Sequence, residues 1–247
     1  MDLASVFDES MMRMALGLAE RGLGLVAPNP AVGCVIVRDG VVVGRGWTQA
    51  GGRPHAETEA LRRAGPLARG ATAYVTLEPC AHHGKTPPCA GALVDAGVAR
   101  VVSALGDPDP RVAGAGYSLL REAGIEVEEG VLSEEAAYLN EGFLRRVSDG
   151  RPMVTVKLAS SLDGKVATHS GHSQWITGER ARNQVHLMRA RTDAIMVGSA
   201  TAIVDDPDLT CRLSGLGGRS PIRIVADGRL RMPLTAKLVR SARDVPV

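Results

Sequence analysis

His55-Ala56-Glu57, Pro79-Cys80 and Cys89 are the residues of this chain best equipped for chemistry. An imidazole and two thiols are the nitrogen and sulfur donors that zinc takes in a tetrahedron, and a catalytic zinc site keeps its fourth position for water or substrate. His55, Cys80 and Cys89 would fill three corners. Glu57, two residues past the histidine, is close enough to carry protons to and from the vacant one. Two further imidazoles, His82 and His83, lie between the cysteines, and either could close the site into a structural staple. A plainer alternative leaves His55 on the surface and both cysteines in the core.

Alternating strands and helices must bring these residues together. Met11, Met12, Ala15, Leu16 and Ala19 have helical spacing between Asp8 and Gly22. Val32 to Val37 and Val41 to Trp47 are β-rich runs joined at Arg38-Asp39-Gly40, where Asp-Gly signals a hairpin. His55 opens a helix ending near Gly65-Pro66. A buried strand from Ala73 to Leu77 runs into Glu78-Pro79-Cys80 and delivers Cys80 to the next loop or helix. Cys89 to Gly97 and Tyr117 to Gly124 then read as helices, and Arg100 to Leu105 and Ile125 to Val131 as strands. Ser133 is placed to cap a helix whose first turn carries Glu134 and Glu135. The alternation argues for an open α/β sheet. Turn formers cluster at Ser148-Asp149-Gly150-Arg151-Pro152 and mark a boundary. Beyond it, Met153 to Leu158, Ala194 to Val197 and Ile222 to Val225 read as strands and Thr177 to Arg191 as a helix.

At 247 residues the chain holds one large or two modest domains, and 45% hydrophobic with 23% charged residues is ordinary for a globular protein. Only 3% of residues are aromatic, so Ala, Val, Leu and Ile must fill the cores. A net charge of +2 supplies no field for non-specific nucleic-acid binding. Of the four cysteines, two belong to the metal motif and Cys34 reads as core. The opening Met1-Asp2-Leu3-Ala4-Ser5 lacks a signal peptide's basic and apolar regions, and no apolar run reaches the roughly 18 residues of a membrane span. The expectation is a protein of the reducing cytoplasm, its thiolates kept for metal.

The histidine-x-glutamate and proline-cysteine pattern is that of zinc nucleobase deaminases, whose two cysteines lie two residues apart; here eight residues separate them. That insert narrows the resemblance. Cys80-Ala81-His82-His83-Gly84-Lys85-Thr86-Pro87-Pro88-Cys89 closely resembles a loop of the bifunctional riboflavin-biosynthesis deaminase/reductase family, and Asn29-Pro30-Ala31-Val32-Gly33-Cys34 its substrate loop. Three later segments are similar to the reductase half: Lys157 to Lys165, Ser173-Gln174-Trp175-Ile176-Thr177, and Val204 to Arg212.

The resemblance implies a cytidine-deaminase-like three-layer α/β domain over residues 1–148. A partial dihydrofolate-reductase-like α/β domain would follow over 152–247. It implies zinc-dependent hydrolytic deamination of a phosphorylated pyrimidine, followed in complete members by NADPH reduction of the ribosyl side chain. Glu57 would be the proton carrier, Asn29 and His82 would contact the pyrimidine substrate, and Lys85 would meet its phosphate. Ser173, Arg189, Leu209 and Arg212 would touch the reductase substrate, with Ala159, Trp175, Thr201 and Asp205 on the cofactor side. The pattern departs from the family at Thr48, usually histidine, and at Asp109, usually asparagine; both positions are expected near the substrate. Complete members continue well past Val247, so the reductase half is expected to be cut short. Members often associate, which makes a homo-oligomer an expectation. Two other readings remain at this level: a deaminase of another nucleobase, and an inactive metal-stapled scaffold.

Overall fold

The computed structural model describes residues 3–81, 87–109 and 113–247. The chain divides into two compact units, Met1–Met153 and Val154–Val247.

The first unit runs α1 (Leu3–Ala19), β1 (Gly33–Arg38), β2 (Val41–Trp47), α2 (Ala56–Ala64), β3 (Thr72–Val75), α3 (Cys89–Asp95) and β4 (Arg100–Ser103). It ends with α4 (Ala115–Glu122), β5 (Glu126–Glu129), α5 (Ser133–Leu139) and α6 (Glu141–Asp149). The five strands form one sheet in the order β2-β1-β3-β4-β5. β1 is antiparallel to β2 and β3, and β3, β4 and β5 are mutually parallel. The β1–β2 hairpin turns at Asp39 and Gly40, both at positive φ (51° and 75°), as a type I′ turn demands.

Side chains alternate across a strand, and both faces of this sheet are covered. Cys34 and Ile36 of β1, Ala73 and Val75 of β3 and Val101 of β4 pack with Ala56 and Ala60 of α2, Leu93 of α3 and Leu120 of α4. The intervening Val35, Val37, Tyr74 and Val102 pack with Met12, Ala15 and Leu16 of α1 and Ala136 of α5. Burying each such Val, Leu or Ile contributes about 1.5–3 kcal/mol, which lets these layers form with few aromatics. On the first face α2 sits directly on β2: a Cβ at Gly46 would collide with the Ala56 carbonyl and the Ala60 nitrogen of that helix. Glycine there lets the helix approach closely enough to hold its first turn over the strand end.

The topology gathers four chain segments at one end of the sheet. Gly33 pairs with Trp47 and Cys34 with Val75, so the entry to β1 and the exits of β2 and β3 lie together. The exit of parallel β4 joins them. Ligands of open α/β sheets sit outside the carboxyl ends of such parallel strands.

Within the second unit, α7 (Glu179–Ala190), β6 (Ala194–Gly198), α8 (Ser199–Asp205), β7 (Ile222–Ala226) and α9 (Lys237–Arg240) surround a small core of Ala202, Leu209 and Leu238. β6 and β7 pair in parallel. Arg223 of β7 is fully buried, and its guanidinium donates to the carbonyls of Asp208, Leu238, Ser241 and Val245 and to the Ser241 hydroxyl.

Two local expectations change. Met153 to Leu158 forms no strand, and residues 151–178 contain neither helix nor strand. Val154, Val156 and Leu158 point outward, because β-branched residues favour extended backbone but a strand needs a neighbouring edge to bond. Ser133 is the first residue of α5 rather than its cap; Leu132, in the left-handed region at φ 57°, holds the cap position. Among the described residues no helix is long and apolar enough to cross a membrane.

Candidate metal and proton-transfer site

The three expected ligands meet at the gathered end of the sheet. His55 stands at the N-cap position of α2, Cys80 follows β3, and Cys89 is the first residue of α3. Their donor atoms all lie within 4.8 Å of one another. His55 Nδ1 is 3.3 Å from Cys89 Sγ and 3.7 Å from Cys80 Sγ. Zinc–nitrogen and zinc–sulfur bonds in a tetrahedron separate N and S by about 3.6 Å, so the donor set fits a zinc ion in both chemistry and spacing.

The polypeptide prepares this set for a cation. The Cys89 N–H donates to Cys80 Sγ at 3.3 Å. The Cys80 thiol is held down to about 4, first by the Cys89 thiol that donates to it and then by His55, despite its burial. The Cys89 thiol is pushed up by the same contact and by burial. A divalent cation would meet one ready thiolate and displace the proton of the other.

Glu57 lies in the first turn of α2, 4% exposed. Burial pushes its carboxyl above the ordinary carboxylate range against the pull of His55, and the Cys80 thiolate adds to the rise. A buried carboxyl beside the metal ligands is suited to take up and return a proton.

Three of the residues expected to surround the pyrimidine substrate, Asn29, Thr48 and Asp109, lie among the described residues. Asn29 is half-buried on the segment entering β1, its Nδ2 donating to the Val26 carbonyl at 3.2 Å. Its side chain lies against Gly52, three residues before His55, where any Cβ would strike the Asn29 amide. Thr48 is buried, and its hydroxyl serves the backbone of Val32, accepting from its N–H at 3.0 Å. Asp109 sits in the loop after β4, its N–H donating to the Asp107 carboxylate at 2.9 Å. His82, Lys85 and the possible fourth ligand His83 fall outside the described residues.

Within the second unit, Arg189 donates to the Thr210 carbonyl at 3.0 Å, and its buried Nε has no hydrogen-bond partner among the described residues. Burial and the neighbouring Arg212 both lower its affinity for a proton. Arg212 is exposed and reaches Asp208 at 3.6 Å. Leu209 lies between them in sequence, but its side chain is only 5% exposed and belongs to the core, so a ligand would meet its backbone. Ser173 and Trp175 are exposed in the irregular 151–178 segment, Trp175 with the Arg182 guanidinium 4.6 Å over its ring. Ala159 is half-buried in the same segment, while Thr201 and Asp205 lie exposed on α8.

Two residues that hold the site escaped the sequence reading. The buried Glu78 carboxylate accepts the N–H groups of Asp107, Gly114 and Gly116 at 3.2, 3.0 and 2.9 Å. The Asn140 amide exchanges two hydrogen bonds with the backbone of Ala31. In both cases the partners are main-chain groups, which leave no mark in a sequence.

Residues 5–105 match the family described as the cytidine and deoxycytidylate deaminase zinc-binding region, and residues 152–246 match the RibD C-terminal domain. The chain is 52% identical over 244 residues to riboflavin biosynthesis protein RibD of Escherichia coli K12, with 94% of this chain and 66% of that protein covered. The solved structure of Acinetobacter baumannii RibD superposes with a TM-score of 0.89 at 50% identity, covering 98% of this chain and 69% of that one. A Thermotoga maritima structure, titled a diaminohydroxyphosphoribosylaminopyrimidine deaminase/5-amino-6-(5-phosphoribosylamino)uracil reductase, gives a TM-score of 0.86 at 45% identity, covering 92% and 64%. The chain thus spans about two thirds of the length of the curated relatives it matches, 66% in E. coli and 65% in Aquifex aeolicus.

Proposed function

The chain belongs to the RibD family of riboflavin biosynthesis proteins, and on that footing we propose that its first unit is a zinc-dependent hydrolytic deaminase. Its substrate on this reading is 2,5-diamino-6-(5-phosphoribosylamino)pyrimidin-4(3H)-one. One observation carries the proposal: His55, Cys80 and Cys89 converge within 4.8 Å, and the Glu57 carboxyl is buried beside them.

Zinc held by His55, Cys80 and Cys89 would supply an activated water at neutral pH. The remaining work belongs to the polypeptide. The Glu57 carboxylate takes a proton from the attacking water and hands it to the ring nitrogen beside the amino-bearing carbon; it then takes the proton of the added hydroxyl as the carbonyl forms and delivers it to the amine, which leaves as ammonia. These transfers are sequential, so one carboxylate suffices. Asn29, fixed against Gly52, hydrogen-bonds the pyrimidine ring. His82 and Lys85 complete the substrate contacts, the lysine at the phosphate.

For the second unit we infer the substrate side of the reductase. Arg189 and Arg212 are neighbouring like charges, and the first keeps a buried N–H without a partner among the described residues. A phosphate would relieve both conditions. NADPH, the hydride donor expected from the family, would be met by Ala159, Trp175, Thr201 and Asp205.

The deciding experiment measures ammonia release from the pyrimidine substrate together with zinc content. The wild-type chain should bind about one zinc and lose turnover on chelation. Glu57→Ala should retain the zinc and lose ammonia release by at least about 10²-fold. Undiminished turnover in that variant would refute the assignment.

A further inference from the structure

The segment that carries Asn29 into β1 has no strand ladder of its own before Gly33, yet its N–H groups are all engaged. Those of Ala31, Val32 and Gly33 donate in turn to Asn140 Oδ1 at 2.9 Å, Thr48 Oγ1 at 3.0 Å and Thr76 Oγ1 at 3.0 Å. The two threonines come from the sheet side. Asn140 comes from the α5–α6 junction, 109 residues away along the chain.

Asn140 is unusual for its position. It sits at the N-cap of α6, where an asparagine commonly bonds the first N–H groups of its own helix. Here it makes no cap. Its side chain is instead 4% exposed and directed wholly at Ala31: Oδ1 accepts the Ala31 N–H, and Nδ2 donates to the Ala31 carbonyl at 3.0 Å. An amide used this way imitates a neighbouring strand. A second tie comes from α6, where the exposed Arg146 Nη2 donates to the Pro28 carbonyl at 2.8 Å. The residues on either side of Asn29-Pro30 are thus both held by one helical pair.

We propose that Asn140, assisted by Arg146, is a positioning device for Asn29, locking residues 28–31 so that the Asn29 amide stands beside Gly52 for the incoming pyrimidine. This rests on the deaminase reading given above. The side-chain hydrogen bonds of Asn140 go to the Ala31 backbone, so it acts through the loop. A hydrogen bond from Asn29 serves ground state and transition state alike, so loosening it raises KM more than it lowers kcat.

The test is a double-mutant cycle on the full chain, following steady-state ammonia release and zinc content. Asn140→Asp keeps the shape but sets a second acceptor against the Ala31 carbonyl. It should raise KM about tenfold, leave kcat within about threefold, and retain the zinc. Arg146→Ala should raise KM by about twofold to threefold. In an Asn29→Ala background neither substitution should raise KM further, because residues acting as one unit are not additive. An unchanged KM in Asn140→Asp, or the same increase with and without Asn29, would overturn the proposal. Should Asn140→Asp not fold, the exposed Arg146→Ala cycle decides by the same criterion. A wild-type chain that releases no ammonia defeats the deaminase reading and this one with it; an active wild type with additive effects defeats this one alone.

Discussion

Glu78 offers the sharpest test of how the site is held. Its carboxylate directly precedes Pro79-Cys80 and accepts three backbone N–H groups: Oε2 takes those of Asp107 and Gly114, and Oε1 that of Gly116. These bonds tie the exit of β4 and the start of α4 to the segment that bears a metal ligand. Glu78→Gln retains the size but brings one oxygen and one NH2 group. With the oxygen at the Oε2 position, the Asp107 and Gly114 bonds survive in neutral form and the Gly116 N–H faces another donor. A hydrogen bond to a charged group contributes about 1.5–3 kcal/mol net, and making the other two neutral roughly halves their strength. The variant should therefore lose about 3–6 kcal/mol. For a unit of this size each kcal/mol lowers Tm by about 2–4 °C, giving a drop of roughly 6–24 °C. All three tyrosines, Tyr74, Tyr117 and Tyr138, lie in the first unit, so tyrosine near-UV circular dichroism reports on this transition. A Glu78→Gln protein melting within about 1 °C of wild type would refute the argument that this carboxylate anchors the loop.

Asp8 should make stability depend on acid. Burial raises its carboxyl, but two hydrogen bonds from Arg100 at 3.1 and 2.7 Å and one from the Tyr74 hydroxyl at 2.6 Å reverse that, and the net shift is downward. A carboxyl depressed in the folded state adds stability that is full above the unfolded value of about 4 and is lost as pH falls through the lower folded value. The Tm gap between wild type and Asp8→Asn should hold steady at neutral pH, worth about 2–3 kcal/mol, and narrow below about pH 4; melts across pH 2–7 check this. Gly46→Ala should drive α2 off β2, since the new methyl would meet the Ala56 carbonyl. Overpacking of this kind costs about 1–3 kcal/mol or more, and because α2 carries His55 and Glu57, zinc content and ammonia release should fall together.

What could be read from the sequence, and what could not, follows a physical line. His55, Cys80, Cys89 and Glu57 recognise one another, or a shared cation, through side-chain identity, and identity is what a sequence records. The strands β1 to β4 were legible because apolar runs bounded by turn formers admit few alternatives. Their order in the sheet was not, since nothing local in Val101 or Val75 says which edge it will pair with. Met153 to Leu158 shows the limit from the other side: its β propensity is plain, yet extended backbone becomes a strand only when another edge bonds to it.

Glu78 and Asn140 fall across that line for one reason. Each bonds to main-chain groups, and every residue except proline carries the same N–H and C=O. Read locally, Asn140 before Glu141 is a helix cap and Glu78 before Pro79 a strand end; neither local reading predicts a partner at Ala31 or Gly116. The distinction has an experimental consequence. A residue legible by identity, such as Cys80, should take the metal with it when replaced, because its contribution is a donor atom. A residue that works through the backbone should leave the metal bound, because the donors still converge, and should instead move the groups around them. Zinc retained with a raised KM or a lowered Tm is therefore the signature that separates the scaffold of this site from its ligands, and it is one that no inspection of ligand motifs supplies.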